Sequence, residues 1–269
     1  MVEQLYFVAG LPRAGSTLLC NLLMQNPRFH ATGTSGLAEV VRGVRDGWDL
    51  VAAHRAMPAA VSRQAEVGAL RGLLFGYHEM AHAGVGRPVV FDKCRAWPAY
   101  IETLTAVLPE PVKILACVRD VRDVLASLEL RWRATAAWGL TTQERAEPGA
   151  FGSLEGRCAL WARGDQLLGS AYNVLKGAVQ RGHGGSIHFV RFEELTAHPL
   201  ATLAGIYQFL EEESFDHDFE RVEQVIQEDD RAHGFVGLHE IRTAVRPLAP
   251  RWPEVLGQVA DGYKGQEFW

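Results

Sequence analysis

The chain has 269 residues, 27 Lys and Arg against 32 Asp and Glu, and a formal net charge of −5. That length suits one large α/β domain or two small ones, and 48% hydrophobic with 22% charged residues is the composition of an ordinary globular protein. A net negative charge argues against a general polyanion-binding surface, so no nucleic-acid partner is expected and basic chemistry should be confined to a pocket.

The beginning, Met1-Val2-Glu3-Gln4, has no basic segment, and Leu5 to Leu11 is too short for a signal peptide. No apolar run reaches the ~18–20 residues of a bilayer span. Cys20, Cys94, Cys117 and Cys158 are scattered, without a Cys-x-x-Cys pair, and read as reduced core thiols of a cytoplasmic protein.

In chain order, short apolar runs predict strands over Leu5–Ala9, Pro88–Phe91, Val112–Val118 and Ser186–Arg191. Helical periodicity fills the gaps: Val67 to Ala81, Trp97 to Leu108, one long amphipathic helix from Leu154 to Val179, and a helix after Pro199 through Leu210. Asp165 falls on the apolar stripe of the long helix and reads as a buried ion-pair partner. Thr141 to Gly152 and Arg181 to Gly185 read as loops. Strands alternating with helices predict a single α/β domain over residues 1–269. Its parallel sheet is flanked by helices, and its site lies at the carboxyl ends of the strands. Residues 213–269, with Pro247, Pro250 and Pro253, are expected to form a less regular segment packed on that body.

The first strand runs into Gly10-Leu-Pro-Arg13-Ala14-Gly15-Ser16-Thr17 and then a helix. Strand, glycine-bounded loop and helix is the context in which backbone N–H groups and a helix N-terminus converge on a phosphate. The Gly-x4-Gly spacing is that of a Walker A loop, yet Ser16 stands at its lysine position and the cation is Arg13. A second anion motif follows the third strand, where Arg119 precedes Ser127 by eight residues, two helical turns on. The second strand ends Val89-Val90-Phe91-Asp92-Lys93: Asp92 offers a magnesium ligand in the manner of a Walker B strand, Lys93 a strand-end cation.

These motifs, in this order, resemble sulfotransferases that use 3′-phosphoadenylyl sulfate (PAPS). The resemblance is to a bacterial branch with a Gly-x-Pro-Arg-x-Gly-Ser-Thr loop, related to the tyrosylprotein sulfotransferases, and it covers most of residues 4 to 212. It implies a P-loop-type fold and transfer of a sulfonate from PAPS to an acceptor hydroxyl, with an amine as second choice, releasing 3′,5′-adenosine bisphosphate (PAP). It implies that Gly10, Arg13, Ala14, Gly15, Ser16 and Thr17 bind the 5′-phosphosulfate and that Arg119 and Ser127 bind the 3′-phosphate. Lys93 would stabilise the transferring sulfonate. Phe192, in Arg191-Phe192-Glu193-Glu194-Leu195, stands where the family has a tyrosine near the adenine; core packing and nucleotide contact both fit it. Gly262-Tyr263-Lys264-Gly265 faintly resembles the family's C-terminal nucleotide contact. No metal is implied, the acceptor is a small molecule or otherwise unidentified, and nothing bears on oligomeric state.

The acceptor base is the gap. Cytosolic members use a histidine and the protein-tyrosine branch a glutamate soon after the first helix, a place occupied here by Gly33 and Thr34. His239 is the leading candidate, with His30, Glu39 and Asp92 as alternatives. Two rival classes stand beside this reading: an ATP-dependent small-molecule kinase using Asp92, and a nucleotide-binding protein without activity. A remote third is a zinc hydrolase, because His78-Glu79-Met80-Ala81-His82 is a literal His-Glu-x-x-His, with Glu102 a possible third ligand. A solvent-facing histidine pair on a helix is the preferred account of that pentapeptide.

Overall fold

Five parallel strands form the centre of the molecule in the order β2-β3-β1-β4-β5, and the computed structural model describes residues 2–81, 86–136, 139 and 141–269 around them. They are β1 (Gln4–Gly10), β2 (Phe29–Thr34), β3 (Val89–Lys93), β4 (Ile114–Val118) and β5 (Ile187–Arg191). All residues of β3 and β4, and all of β1 after Gln4, are buried, as their near-continuous apolar runs require of strands covered on both faces. The predicted strand after Gly86 extends two residues further than its apolar run, through Asp92 and Lys93.

Strand β2 is absent from the sequence reading. Its residues, Phe-His-Ala-Thr-Gly-Thr, have no apolar run; the segment becomes an edge strand by pairing with β3 in the register Phe29–Val89 to Thr34–Lys93. Before β3 lie α1 (Ser16–Leu23), α2 (Leu37–Gly47), α3 (Ala52–Ala56) and α4 (Ala59–Ala81), then α5 (Ile101–Val107) and α6 (Val121–Ala136).

The Thr141 to Gly152 region is not a plain loop. It holds α7 (Thr142–Ala146), started by a capping box between Thr141 and Glu144, and then a 3-10 turn. The predicted long helix is two, α8 (Leu154–Ala162) and α9 (Leu167–Gln180), broken at Arg163-Gly164-Asp165-Gln166. An added Cβ on Gly169 would lie 2.2 Å from the Arg163 carbonyl, so α9 starts tight against the end of α8. Asp165 therefore sits in the break, exposed and paired with an exposed Arg163 at 2.6 Å, not buried on a stripe. The chain ends with α10 (Phe192–Ala197), α11 (Pro199–Leu210) and, inside an irregular stretch, α12 (Trp252–Leu256).

Two polar anchors hold that stretch over the carboxyl end of the sheet. Asn21 Oδ1 on α1 accepts the backbone N–H groups of Val225 (2.7 Å) and Ile226 (3.2 Å). Asp123 Oδ1 on α6 accepts those of Arg251 (2.8 Å) and Trp252 (3.2 Å). Helix α6 is itself fixed to α8 by the fully buried Glu129, which takes a two-pronged grip from Arg157 at 2.7 and 2.8 Å. No described helix is long and apolar enough to cross a membrane.

Candidate active site

The carboxyl ends of β1, β3 and β4 open into a cavity of about 350 Å³, within the ~300–1,000 Å³ of small-molecule sites. Its floor is the loop from Gly10 to Thr17. Gly10 (φ +132°) lets β1 end against β4: a Cβ there would lie 2.1 Å from the Cys117 carbonyl oxygen. Gly15 (φ +86°) is the N-cap of α1, and its Cβ would press on Phe192 Cδ2 at 2.7 Å. Arg13 also holds a left-handed backbone (φ +59°), uncommon for a residue with a side chain. Gly10, Arg13, Gly15, Ser16 and Thr17 line the cavity, and the first N–H groups of α1 have no intrahelical acceptor. Ala14 is buried beneath the loop and offers only its backbone.

Ser127 lies on α6, and Arg13 Nε donates to its Oγ at 3.1 Å, while Arg13 Nη1 donates to the Leu238 carbonyl. Arg119 Nη1 donates to the Arg13 carbonyl at 3.3 Å, its Nη2 stands 3.6 Å from Asp123, and its guanidinium lies over the Phe192 ring, 4.4 Å from the centroid. Arg119 Nε is buried with no hydrogen-bond partner among the described residues. Arg131, one turn after Ser127 on α6, completes the group and is absent from the sequence reading. Burial, and then the Arg131 and Arg119 charges, bring Arg13 down to about 10. An arginine depressed by two neighbouring cations, with an orphaned donor beside it, makes a site that an anion relieves.

On the other side of β1, Lys93 Nζ is 3.5 Å from Thr17 Oγ1 and pairs with Glu228 Oε1 at 2.7 Å. Burial would raise the Glu228 carboxyl, but the hydrogen bond and charge of Lys93 outweigh it and hold the group at about 2. His239 stands beside this pair, with Nε2 3.6 Å from Glu228 Oε2 and Nδ1 2.5 Å from Asp230 Oδ1. A carboxylate only accepts, so Nδ1 carries the proton toward Asp230 and Nε2 is the basic nitrogen of the neutral ring, on the side of Glu228. Burial lowers the His239 pKa, with Asp230 opposing. Glu228 and Asp230 are likewise missed by sequence reasoning, since nothing local marks them.

Of the four base candidates, His239 lines the cavity and the others do not. Asp92 follows Phe91 on β3 and faces away from Lys93, because successive strand residues alternate faces. Its Oδ1 accepts Trp97 Nε1 at 2.6 Å and its Oδ2 lies 3.1 Å from His78 Nε2, all three residues fully buried. That removes Asp92 as a magnesium ligand in the cavity. It also corrects the reading of His78: the imidazole faces the core, not solvent, while His82 lies outside the described residues. Glu102 is engaged by Arg181 and His183, each at 2.8 Å, and is no third ligand. No group of three described His, Cys, Asp or Glu side chains could hold a metal ion. Glu39 is exposed and paired with Arg42 at 2.7 Å, and His30 belongs to the first half of β2. Gly262 to Gly265 does not reach the cavity; among C-terminal residues, Leu238 to Arg251 do.

Residues 6–217 match the pattern that defines the sulfotransferase family. The chain belongs to the sulfotransferase family. No curated protein sequence matches it. Among solved structures, mouse sulfotransferase SULT7A1 complexed with PAP is similar at 12% identity and a TM-score of 0.52, with 100% of this chain and 87% of that one covered. Retinol dehydratase in complex with androsterone and inactive cofactor PAP matches at 15% identity and 0.52, over 99% and 81%. A sulfotransferase from Alicyclobacillus acidocaldarius matches at 13% and 0.51, over 86% and 88%. At these identities the likeness establishes the sulfotransferase fold, a single α/β domain around a five-stranded parallel sheet.

Proposed function

We propose that this sulfotransferase moves a sulfonate from PAPS to an acceptor hydroxyl, with an amine as second choice, and releases PAP. The observation that carries the reading is the convergence of Arg13, Arg119 and Arg131 around Ser127, beside the Phe192 ring. Three arginines gathered on one side of the cavity, with an orphaned Arg119 Nε, fit a phosphate held next to a base. PAP in the mouse relative supports the choice of nucleotide.

Bound there, PAPS supplies the sulfonate, whose bond to the 5′-phosphate oxygen breaks as the acceptor oxygen bonds to sulfur. The N–H groups of the Gly10–Thr17 loop and the hydroxyls of Ser16 and Thr17 hold the 5′-phosphate. Arg119 and Ser127 hold the 3′-phosphate, and Phe192 packs against the adenine side. Arg13 and Lys93 stabilise negative charge as it develops on the departing phosphate, fixed donors in a low-dielectric site being the largest single aid to such a transfer. Thr17 sets the Lys93 ammonium at the start of α1. His239 takes the acceptor proton on Nε2; burial keeps the ring neutral and Asp230 fixes its tautomer. A kinase reading loses its magnesium ligand with Asp92, and a non-catalytic reading leaves His239, lining the cavity with its Nδ1 on Asp230, without a task.

Calorimetry with PAP, AMP, ADP and ATP tests the reading. A charge-assisted grip on the 3′-phosphate is worth about 1.5–3 kcal/mol, so PAP should bind roughly tenfold to 150-fold tighter than AMP or ADP. Arg119→Ala should erase that preference and leave AMP binding nearly unchanged. Equal affinity of the wild type for PAP and ADP would overturn the assignment.

A further inference from the structure

The sheet order divides the cavity in two. Strands β1 and β4 with helices α6 and α10 bring Arg13, Arg119, Ser127 and Phe192 to one half. Strands β2 and β3 bring Thr34, Lys93, Cys94 and Arg95 to the other, where His239 also stands. If the nucleotide occupies the first half, the acceptor enters the second.

In that second half Lys93 and His239 each have a carboxylate partner, and one arginine does not. Lys93 has Glu228 at 2.7 Å, and His239 has Asp230 at 2.5 Å. Arg95, two residues past Lys93 in the turn that follows β3, lines the cavity and makes no hydrogen bond or ion pair with any described residue. Burial pulls its guanidinium below the ordinary arginine value, with Cys94 and Glu228 opposing only through space. Arg95 is half-buried at the cavity wall, so its guanidinium has no carboxylate partner yet stays reachable from the cavity, where a ligand can supply the missing charge. Its five donors in a planar fork match a carboxylate or phosphate, and nothing on the nucleotide side needs them.

We propose that the acceptor carries an anionic oxygen group, a carboxylate or a phosphate, in addition to the hydroxyl that is sulfonated, and that Arg95 grips this group. The hydroxyl is thereby turned toward His239 and Lys93, so Arg95 selects and orients the acceptor without touching the reacting atoms. The inference rests on the PAPS reading above.

The test uses wild-type enzyme saturated with PAP and three acceptor-shaped probes: 4-hydroxybenzoate, 4-hydroxyphenyl phosphate and the neutral 4-hydroxybenzamide. Calorimetry or ligand-observed NMR gives their affinities. At least one anionic probe should bind about tenfold or more tightly than the amide, and the better of the two identifies the group. Arg95→Gln should bring the anionic probes down to the amide's affinity, with PAP affinity and thermal midpoint held within a few-fold and a few degrees of the wild type. Arg95→Lys should restore part of the preference, because a point charge replaces the fork. Equal binding of all three probes, or binding of none, overturns the inference while leaving the PAPS reading intact. A tenfold loss of PAP affinity in Arg95→Gln assigns the residue to the nucleotide and also overturns it. Failure of PAP to bind the wild type would bring down the underlying reading instead.

Discussion

Replacing Asp92 separates a strand-end magnesium ligand from a core anchor. The carboxylate serves two buried groups at once, Trp97 Nε1 at 2.6 Å and His78 Nε2 at 3.1 Å, in a place with no solvent exposure. Asp92→Ala strands both partners, and removal of one member of a buried pair costs about 3–5 kcal/mol. At about 2–4 °C per kcal/mol for a chain of this size, the thermal midpoint should fall by roughly 6–20 °C. Asp92→Asn keeps a carbonyl oxygen for the indole N–H and loses only the charge opposite His78, so it should cost less, about 1–3 kcal/mol. Scanning calorimetry reads the midpoints; PAP affinity and turnover are then measured well below them, with and without EDTA. The Asn variant should bind PAP and turn over within a few-fold of the wild type, and EDTA should change neither protein. A variant with an unaltered midpoint and no turnover, beside a wild type that EDTA silences and Mg²⁺ restores, would refute the reasoning and return Asp92 to phosphoryl-transfer chemistry.

Arg13→Ala should lower kcat by about a hundredfold or more and weaken PAP binding by less, because its charge matters most as the phosphate departs; steady-state kinetics beside calorimetry distinguish this from a raised KM alone. For His239 the neutral ring is the active form and its pKa is depressed, so kcat/KM should be flat near neutrality and fall only below about pH 6.5, the ordinary histidine value. Asp230→Asn removes a group that favours the imidazolium, so the acid limb should move to lower pH while the rate plateau drops; a limb moving upward contradicts the dyad. Glu228 is held at about 2 in the folded chain against an ordinary 4.5, so its contribution to stability is complete above about pH 4.5 and is lost as pH falls toward 2. Glu228→Gln should flatten that part of the acid-denaturation curve.

The sequence alone determined the local chemistry. A strand, the Gly10–Thr17 loop and a helix are contiguous, and Arg119 stands just before α6 with Ser127 in its second turn; such motifs depend on backbone geometry that neighbouring residues dictate. Three of the four legible strands, β1, β3 and β4, were so because burial on both faces demands unbroken apolar runs, and β5 showed as a short apolar stretch at the other edge. Strand β2 was not, since its Phe-His-Ala-Thr-Gly-Thr segment becomes a strand only through the free edge of β3. The break between α8 and α9 left one faint mark, Gly164, which a periodic apolar stripe on either side concealed. Tertiary structure decided the rest. Asp92 and Lys93 are neighbours that must face opposite ways, but which one meets the loop depends on α4 and Trp97 packing on one face of the sheet and α1 on the other. Glu228, Asp230 and His239 lie more than two hundred residues from the loop, in a segment without periodicity. Their approach to Lys93 depends on Asn21 and Asp123 capturing the backbone of the C-terminal stretch, hydrogen bonds between distant parts of the chain that no local pattern encodes.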